Sequence, residues 1–371
     1  MPTIRVLVIF GTRPEAIKMA PVIRHLQATP DLFEVVVCVT AQHRHMLDQM
    51  LSVFDITPDV DLNVMEDNQS LASLTAKALT RVTDTLDVVH PDIVLVQGDT
   101  TTAMAAALAS FYRRIPVGHV EAGLRTSNRL DPFPEEINRR IISTLASYHF
   151  APTPASVRAL LAEGHPEDAV QLTGNTIVDA VHFILKRGTP SALPISCDGN
   201  RLILVTAHRR ENFGEPIRNI CSALQEILRR YPGVEIVYPV HPNPNVREPV
   251  YRMLSGTPRI HLIAPLQYDE FLSLMARAHF IMTDSGGIQE EAPTLGKPVL
   301  VLRRCTERPE AIEAGTARLV GTTVDGILAH AGRLLTDQSE YDRMASISSP
   351  FGDGKAAERI VRILASTLSK N

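Results

Sequence analysis

The sequence predicts an α/β protein built from two Rossmann-like halves, and three observations carry that expectation. Short β-branched runs alternate with longer amphipathic segments, the pattern of parallel sheets flanked by helices. The strand-like runs are apolar almost throughout, as strands covered on both faces are. The alternation stops and restarts once, and 371 residues suit two domains of roughly 150–200 residues better than one.

The first half opens with a strand over 4–10 (IRVLVIF) and a helix over 14–27. Pro14 suits the first helical position, where its missing N–H is no loss. A second strand covers 33–40 (FEVVVCVT), followed by helices over 45–54 and 70–89. Ser70 is the expected N-cap of the longer one, its hydroxyl accepting from a free amide of the first turn. Strands over 92–97 (DIVLVQ) and 117–120 complete this set. The second set has strands over 202–206, 235–240, 259–263, 279–284 and 299–302, with helices over 216–230 and 267–278. Between the sets, 186–200 (KRGTPSALPISCDGN) holds two Pro and two Gly and reads as a surface loop near the domain boundary. The boundary itself is expected near Thr173-Gly174-Asn175. This gives an N-terminal domain over 1–173, a C-terminal domain over 174–354, and a last helix within 355–371 that packs back on the first domain. Ala356, Ile360, Ile363, Leu364 and Leu368 give that last segment its helical apolar spacing.

Composition narrows the function classes. With 44% hydrophobic and 21% charged residues, each half can bury a sizeable core. Net charge is 37 − 41 = −4 with both signs interspersed, which gives no electrostatic case for nucleic acid or an anionic membrane. Any phosphate must therefore be held by local basic groups. The four cysteines, Cys38, Cys197, Cys221 and Cys305, form no CxxC pair and no metal spacing, as expected of reduced thiols in the cytoplasm. Met1-Pro2-Thr3 leads directly into a strand-like run without the pattern of a secretory leader, and no apolar stretch approaches the ~20 residues of a membrane span. There is no HExxH, EF-hand loop, Walker A or GxGxxG sequence, so neither metal, ATP nor a nicotinamide cofactor is indicated.

The chemistry-bearing groups collect where strands end. Thr283-Asp284-Ser285-Gly286-Gly287 closes an apolar run and opens an acidic segment ending at Pro293. Bare amides and a positive helix end beyond a strand make a seat for phosphate, and Glu291 lies within reach of hydroxyls on its carrier. A turn that needs small residues for packing explains the tripeptide equally well. Gly11-Thr12-Arg13 follows the first strand, with Lys18 one turn into the helix. Arg13 and Lys18 either point at an anion or are solvated charges. Asp99, in Gln97-Gly98-Asp99-Thr100, projects from a strand end or caps a helix. Glu121 ends the next strand, and Glu135 and Glu136 open a helix whose dipole suits them, so one of that pair can be purely structural. In the second half, His208-Arg209-Arg210 ends a strand and suits a pyrophosphate. His241 ends the next strand, as ligand group or as structural hydrogen-bonder, and Arg308 follows the strand over 299–302. Acids thus gather in the first half and basic groups in the second. A phosphorylated carrier held by one domain, reacting at carboxylates of the other, explains that asymmetry.

As a set these motifs resemble the non-hydrolysing UDP-N-acetylglucosamine 2-epimerase family. FGTRPEAIKMAP, VTAQHRHMLDQ, QGDTTT, IPVGHVEAGLRT, PEEINR, TGNTIVDA, TAHRREN, YPVHPNPNVRE, TDSGGIQEEAPTLGKPVLVLR and TERPEAIEAGT follow in family order over nearly the whole chain. The resemblance implies a glycosyltransferase-B type fold with a cleft between the domains, a cytoplasmic homodimer and no cofactor. It implies interconversion of UDP-N-acetylglucosamine and UDP-N-acetylmannosamine through 2-acetamidoglucal, for surface-polysaccharide synthesis. Residue by residue, it makes Arg13, Lys18, His208, Ser285, Gly286, Gly287, Glu291 and Arg308 nucleotide-binding, with Phe271 near the uracil. Asp99, Glu121 and Glu135 become the catalytic acids, joined by His208. A second substrate molecule, which activates some members, would meet Gln42, His45, Asn68, Glu136, Arg210 and His241. Here His45 and Asn68 depart from the Gln and Arg of activated members, which implies weak activation. Arg304-Cys305 and Asp131 also depart from the family's usual Asp-Thr and Ser. The competing readings are a hydrolysing epimerase, a glycosyltransferase of the same fold, and a binding module for nucleotide sugars.

Overall fold

A computed structural model of the chain describes residues 3–40, 44–66, 69–126, 128–188 and 199–368, and the backbone alone of 44–46. The chain forms two compact units, Met1–Phe183 with Phe351–Asn371, and Ile184–Pro350.

The first unit is a parallel sheet of seven strands: β1 (Ile4–Phe10), β2 (Phe33–Val39), β3 (Val60–Asp61), β4 (Ile93–Gln97), β5 (Val117–Val120), β6 (Tyr148–Ala151) and β7 (Val170–Leu172). Their spatial order is β3-β2-β1-β4-β5-β6-β7. Val6 to Phe10 are completely buried, which is why β1 is apolar at every position rather than at alternate ones. The second unit is a parallel sheet of six: β8 (Arg201–Thr206), β9 (Val234–Pro239), β10 (Ile260–Ile263), β11 (Phe280–Thr283), β12 (Val299–Val301) and β13 (Ala317–Leu319), in the order β10-β9-β8-β11-β12-β13. Its core joins Ile203, Val205, Ile236, Phe280 and Met282 to Ile217, Leu224 and Ile227 of the helix Glu215–Arg230.

The strand order reverses once in each sheet, between β1 and β4 and between β8 and β11. At such a switch point the flanking helices leave on opposite faces and open a crevice at the carboxyl ends of the strands. Gly11 follows β1, Asp99 lies just beyond β4, His208 just beyond β8, and Ser285 just beyond β11.

Local signals explain the helices. Ser70 Oγ accepts from Ser73 N at 3.1 Å and starts Leu71–Val89. Thr12 and Glu15 form a capping box at the start of Arg13–Gln27. The helix Thr176–Arg187 includes Lys186 and Arg187, so the expected loop begins later than its composition suggests; its residues 189–198 lie outside the described ones. The last helix, Ala356–Leu368, packs against Arg13–Gln27 within the first unit. Asp179 caps it by accepting from Ala356 N (3.2 Å) and Ala357 N (3.0 Å). Among the described residues, no helix is long and apolar enough to cross a membrane.

Candidate active site

In the first unit the turn after β1 is held tightly. A Cβ on Gly11 would collide with the Thr40 hydroxyl and come within 2.8 Å of Thr102 Oγ1. Only glycine lets the chain pass these two buried threonines, which hydrogen-bond each other at 2.9 Å. Glu15, also buried, accepts from Gly11 N (3.0 Å), Thr12 N (2.7 Å) and Thr100 Oγ1 (2.6 Å). It thereby ties the turn after β1 to the one after β4. Burial raises the Glu15 pKa, against the pull of those hydrogen bonds.

Three acids stand at this edge. Glu121, buried just after β5, adopts a left-handed backbone with φ of 64°. Its carboxylate accepts from Lys18 Nζ at 2.5 Å, from Asn175 Nδ2 at 3.4 Å, and from the Gln97 amide. Lys18 and Glu121, 103 residues apart, are thus a buried ion pair. Gly98, where a Cβ would lie 3.7 Å from Glu121 Oε2, directly precedes the next acid. Asp99 is part-exposed, and Arg139 Nη2 donates to its Oδ2 at 2.5 Å while Asn138 Nδ2 donates to its carbonyl at 3.0 Å. Glu135, first residue of the helix Glu135–Leu145, is half-buried, and its side chain has no hydrogen bond among the described residues.

Glu136 is fully buried, and it accepts from Thr126 N (3.0 Å), Arg139 Nη1 (3.3 Å) and Arg140 Nε (2.7 Å). His119, fully buried in β5, bonds Gly98 O through Nε2 at 2.7 Å. Burial lowers its pKa to about 3 despite that bond. The ring is therefore neutral, with its proton on Nε2. Arg13 is half-buried at the start of its helix. Gln42 and Asn68 lie outside the described residues, as does the side chain of His45.

In the second unit the organising group is Asp284, which the sequence reading quoted within its motif and gave no role. It is completely buried. Its Oδ2 accepts from His208 N and Arg209 N, both at 2.8 Å, and from Asn212 Nδ2 at 2.9 Å. One carboxylate after β11 thus shapes the loop after β8. The His208 ring lies 3.9 Å from Asp284 Oδ1 through Nε2 and stacks on His241 at 5.4 Å between centroids. His241 Nδ1 accepts from Asn243 N at 3.1 Å, which leaves Nε2 to carry the proton. Burial, then the His208 charge, lowers the His241 pKa.

Ser285 precedes the short helix Gly286–Glu291. A Cβ on Gly286 would lie 3.6 Å from both Arg209 Nη2 and Glu307 Oε2, so a basic and an acidic side chain meet over this turn. Glu307 is also paired with Arg303 at 3.3 Å. Burial alone would raise its pKa, but Arg209 and Arg303 outweigh burial and lower it. Tyr268 OH donates to Glu291 Oε1 at 3.0 Å, and Arg308 Nε donates to the buried Glu290. Phe271 is half-buried one turn along the helix Tyr268–Arg277. Arg210 opens a short 3-10 turn, Arg210–Asn212, and is exposed. Among the described residues, no group of three or more His, Cys, Asp or Glu side chains could hold a metal ion.

Each unit therefore gathers its sequence-identified groups at the carboxyl edge of its own sheet: acids with Lys18 in the first, His208, His241, Ser285 and Arg308 in the second. Arg139, Gln97 and Asn175, which hydrogen-bond the acids, have no local sequence signal that singles them out, and neither has Asp284.

Comparison with known proteins gives a consistent result. The family model for UDP-N-acetylglucosamine 2-epimerase matches residues 24–365. A UDP-N-acetylglucosamine 2-epimerase of Campylobacter jejuni is 50% identical over 372 residues, 97% of each chain. One from Bacillus subtilis is 50% identical, covering 98% of this chain and 96% of its own. The UDP-GlcNAc 2-epimerase of Neisseria meningitidis, solved bound to UDP-GlcNAc, is similar with a TM-score of 0.90 at 51% identity, over 99% of this chain and 100% of that one.

Proposed function

The chain belongs to the UDP-N-acetylglucosamine 2-epimerase family, and from that premise we propose that it interconverts UDP-N-acetylglucosamine and UDP-N-acetylmannosamine without hydrolysing either. The observation that carries this reading is the likeness, over nearly the entire chain, to the meningococcal enzyme bound to UDP-GlcNAc. The distribution of charge supports it, with carboxylates at the strand ends of one unit and basic groups at those of the other.

The chemistry accounts for several acids. The hydrogen at C2 is not adjacent to a carbonyl within the ring, so direct deprotonation is too slow. Breaking the bond from C1 to the UDP oxygen, with the electron pair leaving on UDP, makes C1 oxocarbenium-like and acidifies C2–H. A carboxylate accepts that proton and the C1–C2 double bond of 2-acetamidoglucal forms. Neighbouring anions stabilise the positive charge in the transition state. Return of the UDP oxygen to C1, with a proton delivered to the opposite face of C2, gives the epimer. Asp99, Glu121 and Glu135 are the proposed acids. Arg13, Lys18, His208, Ser285, Gly286, Gly287, Glu291 and Arg308 are proposed to hold UDP, with Phe271 beside the uracil and His208 also at the leaving diphosphate. The reaction has no net redox change, so it asks for no redox cofactor.

We also propose a cytoplasmic homodimer and a weakly activating second-substrate site at Gln42, His45, Asn68, Glu136, Arg210 and His241. The buried hydrogen bonds of Glu136 favour an indirect part for it there. Chromatography after incubation with UDP-N-acetylglucosamine alone tests the function. UDP-N-acetylmannosamine is the expected product. Free sugar plus UDP would identify a hydrolysing enzyme instead, and no turnover would remove the assignment.

A further inference from the structure

Arg139 joins the acid edge of the first sheet to that unit's interior. Its guanidinium donates through Nη2 to Asp99 Oδ2 at 2.5 Å and through Nη1 to Glu136 Oε2 at 3.3 Å. The side chain is 10% exposed, Asp99 26% and Glu136 0%. The chain of charges therefore runs from a closed end at Glu136 to an open end at Asp99. Asn138, the preceding residue of the same helix, holds the Asp99 carbonyl. Successive residues thus fix both the backbone and the side chain of Asp99. The other oxygen, Oδ1, has no hydrogen bond among the described residues.

Stability alone is a poor reason for this arrangement. A buried ion pair returns little more than it loses in desolvation, and apolar groups of similar volume often do as well or better. Here the cost is visible: Arg139 Nε is buried with no hydrogen-bond partner among the described residues. What the arrangement does supply is a carboxylate with one oxygen clamped and the other available. Glu121 contrasts with it, since both of its oxygens accept hydrogen bonds.

We propose that Arg139, anchored by Glu136, is the positioning residue for Asp99, holding one carboxylate oxygen so that the other is aimed at the sugar. This rests on the epimerase reading above. Glu136 then serves the active site from behind. Its charge keeps Arg139 directed at Asp99, and Thr126 N and Arg140 hold Glu136 in turn.

The test begins with the wild-type chain turning over UDP-N-acetylglucosamine, which examines the function by itself. Arg139→Ala should then lower kcat by about 10²-fold, the lower range for positioned acid–base groups, with KM within about three-fold. Guanidinium ion, kept well below denaturing concentrations, should restore part of kcat in Arg139→Ala and none in Asp99→Asn. Most decisively, Arg139→Ala should cause little further loss in an Asp99→Asn background, because groups acting as one unit are non-additive. Its loss should multiply with that of Glu121→Gln. Where Arg139→Ala does not fold, Arg139→Lys carries the same cycle, expected to retain an intermediate kcat with unchanged KM. Wild-type kcat in a folded Arg139 variant would overturn the proposal. So would losses that multiply in the Asp99→Asn background, or a fall in kcat that neither guanidinium nor lysine repairs.

Discussion

Removing the carboxylate of Asp284 should loosen the loop that carries His208. In Asp284→Ala three donors lose their acceptor: the amides of His208 and Arg209, at 2.8 Å each, and the side-chain amide of Asn212 at 2.9 Å. A hydrogen bond to a charged group contributes about 1.5–3 kcal/mol, so three set a ceiling of roughly 4.5–9 kcal/mol. The true loss is smaller. The two backbone amides are only part-buried and water can reach them, and Asn212 keeps the Leu302 carbonyl at 3.2 Å. A destabilisation of about 3–5 kcal/mol is expected, at the upper end for a single substitution. For a unit of this size that lowers the melting temperature by roughly 6–20 °C. UDP affinity should fall about ten-fold, equivalent to ~1.4 kcal/mol, because the basic loop no longer keeps one shape. Asp284→Asn retains an oxygen for the same three donors and should lie much nearer wild type. Scanning calorimetry and titration with UDP measure both effects. An alanine variant that melts and binds UDP as wild type does would refute the idea that this carboxylate organises the loop.

Three further outcomes follow from the same structure. Asp99→Asn, Glu121→Gln and Glu135→Gln should each cut turnover by roughly 10²-fold or more while calorimetry still detects UDP binding; near wild-type rates in all three would displace the acids from their roles. Product formed in deuterated water should carry deuterium at C2 by mass spectrometry, and its absence would mean that the original proton returns without exchange. On acidification, His119 and His149, whose pKa values burial lowers to about 3 and about 4, stay neutral in the fold while the same rings in the unfolded chain take up protons below about 6.5. Their contribution is therefore complete above that pH and is lost as pH falls toward the folded values, at up to ~1.4 kcal/mol per pH unit for each ring. A melting temperature that does not drop between pH 6.5 and 5 would contradict this.

Much of the architecture was legible because it has a local cause. β1, β4 and β11 are short apolar runs ending at Gly11, Gly98 and the Ser285-Gly286-Gly287 turn, so the sequence marks where each strand stops and which residues follow. The strands β3, β6, β7 and β13 escaped notice because each has only two to four residues with a polar or charged one among them, which shows neither a period nor the unbroken apolar run that marks β11 and β12. The contacts within the candidate site were not legible. Lys18 and Glu121 are separated by 103 residues, Arg139 and Asp99 by 40, and Asp284 and His208 by 76. Nothing local in Arg139 distinguishes it from Arg140, its neighbour on the helix. The sheet order brings the distant partners together, and a motif-by-motif reading leaves that order out.

Glu121 has a consequence for how this protein can be improved in the laboratory. Its left-handed backbone, φ 64°, is one that glycine and asparagine adopt readily and a glutamate does not, at a cost of about 1–2 kcal/mol. Glycine or asparagine here would relieve that strain but take the carboxylate away from the buried Lys18, and breaking a buried ion pair by removing one member costs about 3–5 kcal/mol, more than the strain returns. A selection for heat resistance alone would therefore keep the carboxylate at this position, strained backbone included. Libraries of this chain should therefore show thermal tolerance and turnover falling together at residue 121, as at Gly11, where the two buried threonines already exclude a side chain.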